Sequence, residues 1–357
     1  MQTAYVFENI PFPAVEGNPR NGEGDVMELA DGRLLMVYGE FYGGADHAAA
    51  TLQGVVSADG GRTWQDKHTV QPNIGGLNVM SVSMLRLDNG EILLNFLRKD
   101  RQASACTPFI RRSGDEGMTW SDPRPVAPVS STYYVVNNDR LIQIKAGRIL
   151  MPACVYDAGR IKEGDRVFFS DDRAKTWRMT KIHPFLAQSK SGAQEPGVIE
   201  LRDGRVMMWC RCDLGQIYRC YSKDGAETFG PWEPMGLKAP CSPAAIQRIP
   251  STGDLLCIFN NHAAPPEYWA VGRSPLTTAL SSDEGATWRI VGDLEPDRTK
   301  SYCYTSVTFL PGGEILLAYY HGRDMDAVEQ GKYIRRHYNL AHLKVGIFSE
   351  KWLYESK

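Results

Sequence analysis

Five copies of one eight-residue pattern, SxDxGxTW, run through the chain at nearly constant spacing, and a repeat of that period restricts the available folds more than any other feature. The copies read SADGGRTW from Ser57, SGDEGMTW from Ser113, SDDRAKTW from Ser170, SKDGAETF from Ser222 and SSDEGATW from Ser281. Their starts lie 56, 57, 52 and 59 residues apart. Asp and Ser side chains at such spacing bond nearby backbone groups, Gly supplies a positive φ, and Trp fills the space beneath. The pattern is therefore that of a hairpin turn, and its Asp residues are structural.

A second repeat is independent of the first. A tight turn ending in Gly, usually followed by a charged residue and an apolar run, recurs at Gly32, Gly90, Gly147, Gly204, Gly253 and Gly313, at intervals of 58, 57, 57, 49 and 60 residues. Each sits between two apolar runs, as the turn of a β-hairpin does. Six units with room for about four short strands each predict an all-β chain, a six-bladed β-propeller with four-stranded blades, occupying residues 1–357 as a single domain. The sixth unit lacks its Asp turn. Pairing of residues 3–9 with strands near Leu343 and Phe348 would close the last blade and leave no open edge.

Composition removes several functions. Forty basic against 42 acidic residues give a net charge of −2 without a basic stripe, so no nucleic-acid partner is expected. No segment approaches eighteen apolar residues, and the start lacks a basic region followed by an apolar one, so neither a membrane span nor a targeting segment is expected and a cytoplasmic or signal-less form is. The eight cysteines form no CxxC pair and read as buried thiols, with no metal and no cofactor. An anionic substrate would have to be drawn by a few placed arginines.

In a propeller the innermost strands line a central channel, so residues at one offset before each turn Gly converge there. An offset of nine selects Glu23, Ser81, Asn138, Glu195, Ala244 and Tyr304. Five are polar in otherwise apolar strands, which marks a functional funnel, since buried polar groups are costly unless paired or used.

With these residues in view, the chain resembles the sialidase (neuraminidase) superfamily over essentially its whole length. EPGVIELRDGRVMMWCR, from Glu195 to Arg211, is similar to the family's Glu, apolar strand, Asp-Gly turn and Arg. YTSVTFLPGG from Tyr304 resembles its nucleophile strand, RSPLTTALSSD from Arg273 the strand of its third Arg, and GGADHAAAT offers Asp46 as its acid/base, eleven residues before Ser57. The opening strand departs: NPRNGEGD carries Arg20 where sialidases show Arg-Ile-Pro, and the Arg-Ile-Pro at 248–250 lies in the wrong blade position and reads as structural.

The resemblance implies an exo-glycosidase for a terminal sialic acid or related 2-keto acid sugar. Tyr304 would be its nucleophile, Glu195 that nucleophile's base, Asp46 the general acid/base, and Arg20, Arg211 and Arg273 a carboxylate clamp. His47, Glu23, Arg98 and Asn138 are candidate pocket residues. Spacing does not separate Tyr304 from Tyr302, or Asp46 from His47. Charged residues 321–338 form an insertion read as a surface loop. A hydrolase or lyase for another acidic sugar, or a non-catalytic glycan-binding propeller, remains open on the same fold.

Overall fold

The computed structural model describes residues 4–156, 165–180, 185–262, 272–323, 326–329, 332–335 and 340–355. Twenty-five of its strands and short ladder segments sort into six blades of antiparallel sheet. Blade one runs outward from Arg20–Glu28 through Leu34–Phe41 and Ala50–Ser57 to Gln65–Gln71, and blade two from Asn78–Arg86 through Ile92–Arg101 and Ala105–Ser113 to Arg124–Pro125. Blade three begins with an interrupted inner strand, Tyr133–Val135 and Ile142–Gln143, followed by Ile149–Tyr156, Asp165–Ser170 and Arg178–Met179. Blades four and five repeat the order from Gln194–Glu200 to Glu233–Lys238 and from Ala245–Arg248 to Arg289–Glu295. In blade six, Lys300–Leu310, Glu314–Arg323 and Ala341–Ser349 are completed by the first strand, Tyr5–Phe12, whose Tyr5 faces Phe348 and whose Phe12 faces Leu343.

The core is divided into wedges between blades, which explains why second strands read as unbroken apolar runs. Leu34 and Met36 face blade six, among Leu316, Val345 and Ile347. Leu35 and Val37 face blade two, among Ile92, Leu94 and Phe96. Leu93 and Leu97 then pack against Ile149 and Met151 of blade three. The same alternation continues around the ring.

Both repeats are turns. In all five SxDxGxTW copies the Ser Oγ accepts the backbone N–H four residues on at 2.8 Å, and the Thr hydroxyl donates to the Asp carboxylate at 2.5–2.6 Å. Ala174 and Ala226, standing where the other copies have Gly, take the same left-handed backbone at φ 59° and 70°. The six turn glycines have φ between 75° and 86°. Arg248 of the Arg-Ile-Pro run pairs with Glu284 and bonds the carbonyls of Gly253 and Glu200, a structural anchor for its turn.

Blade three's interruption places residues 136–141 off the ladder and across the axis. Asn138 donates to the carbonyls of Gly24 in blade one and Tyr304 in blade six at 2.9 and 3.0 Å. Arg140 reaches Ala244 O of blade five, and Asp139 accepts from Gln247 of blade five and Val307 N of blade six. Beside it, Asp25 accepts from Met84 N of blade two and Ser306 of blade six, and burial, with the charge of Asp139 next, pushes its carboxyl well above the ordinary range.

The segment expected as a surface loop is partly ordered as sheet. Residues 321–323 extend the strand Glu314–Arg323, and Asp326–Glu329 pairs with Lys332–Arg335, setting Asp326 opposite Arg335 and Glu329 opposite Lys332 in register. All eight cysteines are buried free thiols.

Candidate active site

The site is built from breaks in the inner strands. Register slips between Gly22 and Asp25, Met80 and Ser83, Gln194 and Gly197, and Cys303 and Ser306. At each slip one residue adopts a left-handed backbone: Glu23 at φ 50°, Ser81 at 58°, Glu195 at 48° and Tyr304 at 57°. These are four of the six positions at the offset of nine. In blade three the left-handed residue is Asp139, one position later, and Ala244 of blade five is not among them. Such a conformation costs a non-glycine residue about 1–3 kcal/mol and persists where the surroundings hold it. Here it turns side chains toward the axis that a regular strand would bury between blades.

The bulge also separates the two tyrosines that alternation would place on one face. Tyr302 is 1% exposed, packed on Tyr319 and His321 in the wedge between blades five and six. Tyr304, displaced by the slip, donates its hydroxyl to Glu195 Oε1 at 3.3 Å. Arg211, opposite Gln194 on the next strand, donates Nη2 to the same oxygen at 2.9 Å and Nη1 to Cys241 O at 3.0 Å. Glu195 Oε2 and Arg211 Nε are buried without a partner, so this chain of groups keeps one acceptor and one donor unused. Burial works against the charge on Arg211, but Glu195 and Tyr304 outweigh it and hold the guanidinium firmly protonated. Arg273, ahead of the third strand of blade five, lies 5.4 Å from the Tyr304 ring and donates to Cys303 Sγ at 3.2 Å.

Arg20 is 1% exposed and enclosed by acceptors. Its Nε donates to Tyr320 Oη at 2.7 Å, and its two terminal nitrogens ion-pair with Glu23 and Asp46. Glu23 also accepts from Ser81 Oγ at 2.7 Å. Phe41 lies under the guanidinium at 4.2 Å. Tyr320 packs so closely over Gly22 that a Cβ there would sit 2.3 Å from its ring, so Gly is required.

Asp46 stands on the loop after Phe41 with its side chain 65% exposed. Desolvation opposes its ionisation, yet the charges of Arg20, Lys99 and Arg273 prevail and hold the carboxyl at about 2. His47 is exposed beside it on the same loop.

Three expected pocket residues have other surroundings. Glu23 is 2% exposed and braces Arg20, and Asn138 is 1% exposed and braces the backbone behind Tyr304. Arg98 pairs with Asp100 over Phe109, while its neighbour Lys99, on the opposite face of the strand, reaches Asp46 O at 2.7 Å. Sequence reasoning passed over Lys99, Asn78 and Tyr320. Among the described residues no group of three or more His, Cys, Asp or Glu could hold a metal ion.

Residues 86–317 match the family model described as a BNR repeat-like domain. A sialidase of Micromonospora viridifaciens is 26% identical over 352 residues, covering 88% of this chain and 50% of that protein. A sialidase of Paraclostridium sordellii is 29% identical over 238 residues, covering 59% of this chain and 57% of that protein. The chain thus spans about half the length of the curated relatives it matches. Among solved structures, the intramolecular trans-sialidase of Ruminococcus gnavus in complex with oseltamivir carboxylate superposes with TM-score 0.73 at 15% identity over 99% of both chains. Five turns of one hydrogen-bonding pattern, six blades and a family match across more than half the sequence agree: the chain belongs to the BNR repeat-like family of the sialidase superfamily.

Proposed function

We propose that the chain is a retaining exo-glycosidase that removes a terminal sialic acid or closely related 2-keto acid sugar from a glycan. The observation that carries this reading is the contact of Tyr304 with Glu195, with Arg211 sharing the same carboxylate oxygen. A sugar with a carboxylate on its anomeric carbon repels an Asp or Glu nucleophile, whereas a neutral tyrosine avoids the repulsion and a neighbouring carboxylate can take its proton. The names of the relatives and the acidic ligand of the Ruminococcus gnavus neighbour support the same substrate class.

In the first step Tyr304 Oη attacks the anomeric carbon, its proton passes to Glu195, and the bond to the departing oxygen breaks as Asp46 protonates that oxygen. In the second, water attacks the same carbon and gives its proton to Asp46, while the tyrosyl oxygen leaves and recovers its proton from Glu195. Arg20, Arg211 and Arg273 grip the substrate carboxylate with forked donors that stay charged at every working pH. A carboxylate arriving at Arg20 competes with Asp46, relieving the attraction that holds Asp46 ionised and making a proton available there once the site fills.

The test is turnover of a fluorogenic aryl sialoside by the purified protein, with and without a sialic acid glycal. Turnover blocked by the glycal is the expected result. A folded protein that neither cleaves the sialoside nor binds the glycal would remove the acidic-sugar reading.

A further inference from the structure

The carboxyl of Asp46 is tethered by Arg20, the group that an acidic substrate would claim. What then keeps the acid in place lies in the neighbouring blade. The loop at 42–49 closes on itself through Tyr42 N to Ala49 O at 2.9 Å and Ala48 N to Ala45 O at 3.0 Å. Blade two grips it from outside: Asn78 Nδ2 donates to Asp46 O at 2.9 Å and Ala48 O at 2.8 Å, and Lys99 Nζ donates to Asp46 O at 2.7 Å.

Both anchors are buried, Asn78 at 0% and Lys99 at 3% exposure, and they face each other in register on the first two strands of the blade. The Oδ1 of Asn78 has no partner, so the hydrogen bonds of its amide go to the loop. Lys99 has the Tyr133 ring 5.7 Å away. Burying an ammonium is expensive, and a neutral donor could satisfy one carbonyl at lower cost. The ammonium is spent on the backbone of the loop, where it donates to Asp46 O.

We propose that Asn78 and Lys99 are positioning residues for the general acid, fixing the backbone of Asp46 from blade two so that its carboxyl keeps its reach to the departing oxygen after the substrate has taken Arg20. This rests on the assignment of Asp46 as the acid.

The experiment compares Lys99→Met, Lys99→Arg and Asn78→Ala with the unaltered protein by two readouts. The first is the ratio of kcat/KM for a sialyl-galactose linkage to that for an activated aryl sialoside, whose leaving group needs little protonation. Lys99→Met and Asn78→Ala should lower this ratio about tenfold or more, within the range of a displaced acid, and Lys99→Arg should restore most of it. The second is hydrogen exchange over 42–49 with the glycal bound, which should accelerate in Lys99→Met and Asn78→Ala. Equal loss on both substrates, or an unaltered ratio with unaltered exchange, overturns the positioning role. If Asp46→Ala itself shows no selectivity between leaving groups, the acid assignment is what fails and the positioning role falls with it, while exchange still reads the anchoring by itself.

Discussion

Replacing Arg211 by Lys keeps one positive charge and loses the fork. Arg211 makes two contacts that a single ammonium cannot make together, to Glu195 and to Cys241 O, and keeps Nε unused. One charge-assisted hydrogen bond contributes about 1.5–3 kcal/mol, equivalent to about 10- to 150-fold in affinity for an acidic sugar. Because the same guanidinium holds the oxygen proposed to receive the Tyr304 proton, kcat should fall together with affinity. Arg273 donates to Cys303 Sγ at 3.2 Å and lies 5.4 Å from the Tyr304 ring, and its proposed part is to grip the substrate carboxylate, so Arg273→Lys should act mainly on KM. Steady-state kinetics on an aryl sialoside with both variants, alongside thermal melts, separates these effects. The melting temperature should move by a few degrees at most, since no buried charge is left without a partner. Lys variants with unchanged KM would refute the forked grip, and a large fall in melting temperature without a change in KM would assign both arginines to the fold.

Tyr304→Phe removes one hydroxyl from a strand that Asn138 continues to brace, so the fold should persist while turnover drops by about three orders of magnitude or more; retained turnover would send the search for a nucleophile elsewhere in the channel. Asp46→Ala should impair cleavage of a sialyl-galactose linkage far more than of an aryl sialoside, with His47→Ala as the control at the neighbouring position; equal loss on both substrates would make Asp46 structural. The Asp-turn carboxylates set an acid limit on stability. Hydrogen bonds from Thr176 hold Asp172 at about 2, below the unfolded value of about 3.9, so its contribution is present above about pH 4 and is lost as pH falls through about 2. Thermal unfolding followed from pH 5 to 2 should show that limb, and Asp172→Asn should flatten part of it.

Much of the fold was legible because it is written in local rules repeated along the chain. The six turn glycines and the Ser, Asp and Thr of five turns each act within four or five residues, a range at which sequence and hydrogen bonding correspond directly. The offset of nine found Glu23, Ser81, Glu195 and Tyr304 because the bulge recurs with the hairpin. In blade three the inner strand breaks and the left-handed residue is Asp139, one position later, while Asn138 at the offset still turns into the axis to join blades one and six. Arg98 and Lys99 differ by one position, and a one-residue shift exchanges the faces of a strand. Tyr320, Asn78 and Lys99 meet their partners 300, 32 and 53 residues away, across blade boundaries that no local pattern records. The pairing of 326–329 with 332–335 stayed hidden because these short, charged segments lack the apolar alternation that marks the other strands.

A covalent sugar on the tyrosine would test the proposed chemistry at its centre. Incubation with a 2,3-difluorinated sialic acid, followed by rapid acid quench, proteolysis and mass spectrometry, should find the sugar mass on the peptide containing Tyr304 and on no peptide of the Tyr304→Phe variant. A modified residue other than Tyr304, or turnover of an aryl sialoside with no covalent adduct at any time, would contradict the retaining tyrosine mechanism.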